Sequence, residues 1–298
     1  MMLPWLENVH QQLMVSFASG RFHHAQLFNG LEGVGKQLLV KQLADALLCV
    51  QAESLIACGQ CKSCLLNQAD THPDKRSIRV DGQSIGVDEI REISEFMQHS
   101  AAQNGNKVVV LQQCHKMTTA AANALLKTLE EPSAGRYLLL TTEHVSQLPA
   151  TVLSRCARSD VKVTDTAVAK QWLANLNIND YSWLSLFVKQ PLLVEKWQAD
   201  EQLGTIDLLY KFATEIKDSH NFSALVDIFS KDHALIGIFV LFLTEQLKQQ
   251  LIAGMDFFVY QKAQQALTEF IHNSSKVLGL NLSLAISRLA FTLRECNK

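Results

Sequence analysis

The chain has 298 residues, of which 48% are hydrophobic and 19% charged, with five prolines. A single core seldom grows much beyond ~250 residues, so more than one domain is expected, and the composition excludes a disordered or fibrous protein. With 27 Lys and Arg against 29 Asp and Glu, the net charge of -2 argues against attachment to nucleic acid by bulk electrostatics alone.

The N-terminal stretch from Met1 to Leu13 lacks the basic start and unbroken apolar run of a signal peptide, which predicts a cytoplasmic protein with no membrane attachment. Strands are predicted at Ala25 to Asn29, Ser77 to Val80, Lys107 to Gln112 and Tyr137 to Thr142. Helices are predicted between them at Lys36 to Leu48, Val87 to His99 and Thr118 to Leu129. The last opens on a capping Thr and stops before Pro132. This alternation predicts a wound α/β domain over residues 1–163. From about Asp165 onward Ala, Leu, Lys and Gln recur at helical spacing. Two helical domains are expected there, 164–205 and 206–298, divided at the short break around Asp200 to Gly204. The strongest apolar run, Ala234 to Leu243, is half a membrane span and leads into polar sequence, so a buried helix accounts for it.

Between the first strand and the first helix lies Gly30-Leu31-Glu32-Gly33-Val34-Gly35-Lys36-Gln37. This is the context of a phosphate loop, in which Gly30, Gly33 and Gly35 free backbone N–H groups to cradle phosphates and Lys36 supplies a cation. Gln37 stands where a Ser or Thr hydroxyl would reach magnesium. The strand beginning at Lys107 runs into Gln112 and Gln113, where such sites carry a pair of acids. An amide brings no charge to a metal and is a very poor base. No ATP hydrolysis is expected at this site, with little or no ATP binding and no magnesium site.

Cys49, Cys58, Cys61 and Cys64 fall directly after the first helix. Close C-x-x-C steps let thiolates converge on one tetrahedral ion, and four of them leave no open position, so the insertion 49–64 reads as a structural zinc knuckle in preference to redox-active or unligated cysteines. His72 is close enough in sequence to rival Cys49 as the fourth ligand.

Further segments carry a family resemblance: His24-Ala25-Gln26-Leu27-Phe28, Thr71-His72-Pro73-Asp74, the run from Asn123 to Pro132 (NALLKTLEEP), and Leu148 to Cys156 (LPATVLSRC). In that order, with the zinc cysteines, they resemble the AAA+ clamp-loader proteins of bacterial DNA polymerase III over about residues 1–163. The resemblance implies an α/β plus all-α protein: a P-loop type wound α/β domain with a zinc insertion, a small helical lid and a helical C-terminal collar. It favours Cys49 over His72 for zinc and assigns Thr141 and Thr142 to the sensor region. Gln37, Gln112 and Gln113 place the chain with the members whose own site is degenerate.

The resemblance also marks Ser154-Arg155-Cys156 as an arginine-finger step, with Arg155 pointing into a neighbouring subunit's ATP site. A guanidinium is planar and permanently charged, suited to the charge that spreads over a transferring phosphoryl group. The implied partners are gamma or tau and delta subunits, with the sliding clamp and primed DNA reached through the assembly. Two rival readings stay open at this stage. One is an ATPase recruiting its acid from Asp70 or Asp81. The other is a zinc-dependent DNA-binding module, although Lys62 is the only base between Cys49 and Cys64.

Overall fold

The computed structural model describes residues 2–53, 55–79, 84–103, 105–216, 221–276 and 281–296. The strands are β1 (Ala25–Asn29), β2 (Lys75–Ile78), β3 (Lys107–Leu111), β4 (Arg136–Thr142) and β5 (Ala157–Asp160). They form one sheet in the order β2-β3-β4-β1-β5, and every pairing is parallel. Helices α1 (Glu7–Ala18), α2 (Lys36–Leu48), α3 (Lys62–Gln68), α4 (Val87–Gln98), α5 (Thr119–Glu130) and α6 (Ala150–Leu153) are interleaved with the strands.

Side chains alternate across a strand, and here the alternation divides the interior into two cores. Phe28, Val108, Val110 and Leu139 face α2 through Leu39, Val40 and Leu43. Leu27, Val109, Leu111, Leu138 and Leu140 face α4 and α5 through Ile90, Ile93, Leu125 and Leu129. Both faces are therefore covered, which explains why β3 reads as an unbroken apolar run and is buried at every residue.

The predicted strands and helices fall where the sequence placed them, with shifts at their ends. The first strand and first helix match to the residue. Thr118 caps α5 by accepting a hydrogen bond from the Ala121 N–H at 3.2 Å. The strand expected from Ser77 instead begins at Lys75, which pairs with Val108, and the expected end at Val80 lies outside the described residues.

The remaining helices are α7 (Thr166–Asn175), α8 (Leu184–Phe187), α9 (Pro191–Ala199), α10 (Leu203–Glu215), α11 (Ser223–Lys231), α12 (Leu235–Ile252), α13 (Phe257–Lys276) and α14 (Leu282–Glu295). The chain divides into two compact units: residues 1–179 with 184–195, and residues 180–183 with 196–298. The second unit is helical. Helix α12 is long and apolar enough to cross a bilayer by length and composition. Seven of its apolar residues, including Phe239, Phe242 and Leu243, are buried in the unit. Phe242 meets Tyr210 edge-on at 5.2 Å, and Phe239 packs on Phe229 at 5.6 Å.

Candidate functional site

Because the strands run parallel, the loops leaving β1, β3 and β4 emerge at one edge of the sheet, where open α/β folds bind ligands. The β1 exit is the phosphate-loop segment. Gly33 and Gly35 hold φ of +71° and +100°, a left-handed region that favours glycine. Trp5 Nε1 donates to the Val34 carbonyl at 2.9 Å, and the Trp5 ring meets Trp172 edge-on at 5.4 Å, so the loop is pinned by the N-terminal segment.

The loop is closed by its own chain. Lys36 is buried, with 5% exposure, and its Nζ donates to the carbonyls of Gly30 at 2.7 Å and Leu31 at 2.8 Å. Glu143 approaches the same ammonium at 3.6 Å. Burial outweighs that carboxylate and holds the Lys36 ammonium below its ordinary value. From the other side the Leu192 N–H donates to the Gly33 carbonyl at 2.9 Å. A Cβ on Gly33 would lie 2.5 Å from Leu193 Cβ, and one on Gly30 would overlap the Val161 carbonyl oxygen. Two of the loop's glycines are thus required by protein packed against them.

The expected site residues of the β3 exit are held by the neighbouring strands. Gln112 follows β3 and donates its backbone N–H to Ile78 at 3.0 Å. Gln113, in the left-handed region at φ 49°, donates its N–H to Thr141 Oγ1 at 3.2 Å. Gln37 is exposed in the first turn of α2. No carboxylate replaces the two amides at their own positions. Of the rival acids, Asp70 sits in a left-handed turn after α3, and Asp81 lies outside the described residues. Sequence reasoning missed Leu192, Leu193 and Glu143, since no local motif marks a distant helix end or a single acid as a loop's partner.

The four cysteines converge, all sulfur atoms lying within 4.8 Å of one another. Cys49 Sγ is 3.7 Å from Cys61 Sγ, and Cys58 Sγ is 3.9 Å from Cys64 Sγ. Tetrahedral zinc with Zn–S of about 2.3 Å requires an S···S separation of about 3.8 Å, so the residues fit that ion. Backbone N–H groups of Gln51 and Cys58 point at Cys49 Sγ, and that of Cys61 at Cys58 Sγ, each at 3.4 Å. Such donors favour thiolate. Burial pushes the Cys61 thiol up, but N–H donors and neighbouring thiols outweigh it and bring the thiol down to about 6. Cys64 is pushed up to about 12, chiefly by burial. His72 stands apart from the cluster, with Nδ1 accepting from the Asp74 N–H at 3.1 Å.

Arg155 lies at the end of the short helix α6, on the chain's surface. Its guanidinium donates to the Thr151 carbonyl at 3.0 Å and to Ser154 Oγ at 3.2 Å, and pairs with Glu130 at 2.6 Å. Ser154 Oγ itself donates to Thr151 at 3.1 Å. Cys156 turns inward against the core, and burial pushes its thiol up to about 11.

A family model described as DNA polymerase III, delta subunit, matches residues 5–165. Over 171 residues the chain is 43% identical to the DNA polymerase III subunit delta' of Haemophilus influenzae, covering 57% of this chain and 52% of that protein. It is 39% identical over 173 residues to the delta' subunit of Escherichia coli, with 57% and 52% covered. Identity to the tau/gamma subunit of Haemophilus influenzae is 33% over 171 residues, covering 57% of this chain and 25% of that protein. The chain spans about half the length of the delta' relatives it matches.

Proposed function

The chain belongs to the DNA polymerase III delta-subunit family, and we propose that it is the delta-prime-type subunit of a clamp loader, one that does not hydrolyse ATP but lends Arg155 to a neighbour that does. In this reading it assembles in the cytoplasm with gamma or tau and delta subunits to load a sliding clamp on primed DNA. Residues 1–163 form its AAA+ domain, 164–205 its lid and 206–298 the collar through which it assembles.

The observation that carries the silent site is the closed phosphate loop. The two carbonyls that accept from Lys36 occupy the cation that phosphates would need, and Leu193 stands against Gly33. The three amides at Gln37, Gln112 and Gln113 would offer neither a magnesium ligand of adequate charge nor a base if a nucleotide entered. These two features are independent and point the same way.

Support for the finger rests on the residue's placement. Arg155 is 35% exposed on its side chain and held by one carboxylate that is itself 47% exposed. A cation so held is oriented yet remains open to a stronger anion from outside. Zinc at the four cysteines would be structural: thiolates fill all four positions of the ion, so it supplies cross-linking to the insertion and no open site for chemistry. The assignment is tested by reconstituting the loader with Arg155→Ala, which should lower ATP turnover at the neighbouring site while leaving assembly intact.

A further inference from the structure

We propose that His115, Glu143 and His144 form a second metal site on this chain, binding a divalent ion of zinc type beside the closed phosphate loop. One ligand atom from each residue lies within 4.8 Å of the other two. The fold brings them together for a simple reason. His115 lies in the single 3-10 turn after β3, residues 114–116, and Glu143 and His144 follow β4 directly. β3 and β4 are paired parallel neighbours, with Leu111 opposite Leu140, so both exits leave the sheet side by side.

Thr142 ties the two ligand-bearing segments. Its Oγ1 accepts the His144 backbone N–H at 3.1 Å and stands 3.2 Å from His115 Nδ1. Donation of an Nδ1 proton to that hydroxyl leaves the Nε2 lone pair free, which is the tautomer a metal requires, and second-shell partners of this kind orient ligating histidines. The two imidazoles meet edge-on at 5.0 Å, with planes at 89°.

The donor set favours a transition-metal ion such as zinc over magnesium. Two imidazoles and one carboxylate are the ligands of open zinc sites, whereas magnesium prefers an all-oxygen octahedron. Zn–N and Zn–O bonds of about 2.0–2.2 Å need donors about 3.3–3.6 Å apart, so small side-chain rotations close the site from its present spacing. Lys36 is the competitor. Its short hydrogen bonds go to Gly30 and Leu31, and its contact with Glu143 is the longer one at 3.6 Å. Among the described residues an ion has that contact to displace, so the phosphate-loop lysine would set the affinity of the site.

The test is a zinc titration of the intact chain, stripped of metal and followed with a competing chromophoric chelator. Wild type is expected to take a second equivalent of zinc after the cysteine cluster has filled. His115→Ala and His144→Ala should each weaken that second equivalent at least about tenfold, given the loss of one of three ligands. Both should leave the cysteine equivalent and the circular dichroism unchanged. Lys36→Met should strengthen it. Cobalt in the second equivalent should add weak visible bands without the thiolate charge-transfer absorption that the first gives. A wild-type chain that takes one equivalent only, or a second equivalent indifferent to both histidine substitutions, would overturn the proposal.

Discussion

Arg155 Nη2 lies 2.6 Å from Glu130 Oε1, so the guanidinium of the Ser154-Arg155-Cys156 step is held by the last residue of α5 in its own chain. Pairs this exposed contribute at most about 1 kcal/mol, which makes the carboxylate an exchangeable holder. Glu130→Gln is expected to shift unfolding by no more than ~1 kcal/mol in a denaturant titration. In a reconstituted loader it should retain or raise ATP turnover. A loss of turnover comparable to that of Arg155→Ala would show that Glu130 has a role of its own.

Gly33→Ala should destabilise the chain even with no nucleotide present. The substitution forces a side chain at φ +71° and drives a Cβ to 2.5 Å from Leu193 Cβ. Strain of this type costs about 1–3 kcal/mol, readable as a lowered urea midpoint. An unchanged midpoint would mean that the contact with Leu193 is not maintained in solution.

Restoring the missing chemistry should not restore the activity. The triple variant Gln37→Thr, Gln112→Asp, Gln113→Glu returns a hydroxyl and two carboxylates, but leaves Lys36 bonded to Gly30 and Leu31 and Leu193 against the loop. Calorimetry with magnesium and ATP is expected to detect no binding. Tight binding by that variant would place the defect in the amides alone.

The wound sheet was legible because its strands are buried on both faces and read as apolar runs. Lys107 to Leu111 and Arg136 to Thr142 needed only their ends adjusted. β5 escaped notice because Ala157-Arg158-Ser159-Asp160 is a short polar edge strand, stabilised by its pairing with β1 and not by its own composition. The four cysteines converge as their spacing suggested, since close C-x-x-C steps constrain geometry locally. The closure of the phosphate loop was invisible for the opposite reason. Leu192 is more than a hundred and fifty residues from Gly33, and nothing in its neighbours marks a leucine for that contact.

Zinc at the cysteine cluster should be lost on acidification and on substitution of a ligand. Without metal the Cys64 thiol is held up at about 12 by burial, so zinc must displace its proton, and affinity falls as pH falls. Elemental analysis after dialysis should show zinc retained at neutral pH, lost in acid, and absent from Cys58→Ser. None of the four cysteines belongs to either sheet core, so far-ultraviolet circular dichroism should change little on chelation. Collapse of the whole spectrum would mean that the knuckle supports the entire domain.

Acid should also weaken the fold through the half-buried His24 and the buried His72. Burial lowers the values of His24 and His72 below the ordinary 6.5, in His24 with help from His23 and in His72 against the pull of Asp74. The unfolded chain therefore binds more protons than the folded one just below pH 6.5. The stability held by the neutral rings is fully present above that pH and is lost as pH falls through their folded values. Denaturant titrations across this range should show a falling midpoint, and His24→Gln should flatten the slope. An unchanged slope in that variant would exclude His24 as a contributor.

A silent site with an exported arginine predicts opposite outcomes for two substitutions in one reconstituted loader. Arg155→Ala is expected to slow ATP turnover at the site it serves by about 10³-fold or more, with subunit assembly unchanged by gel filtration. Lys36→Ala in the same chain is expected to leave turnover at the wild-type rate, because no nucleotide reacts there. The reverse pattern, turnover lost with Lys36→Ala and kept with Arg155→Ala, would show that this chain's own site is the active one and that Arg155 is not exported.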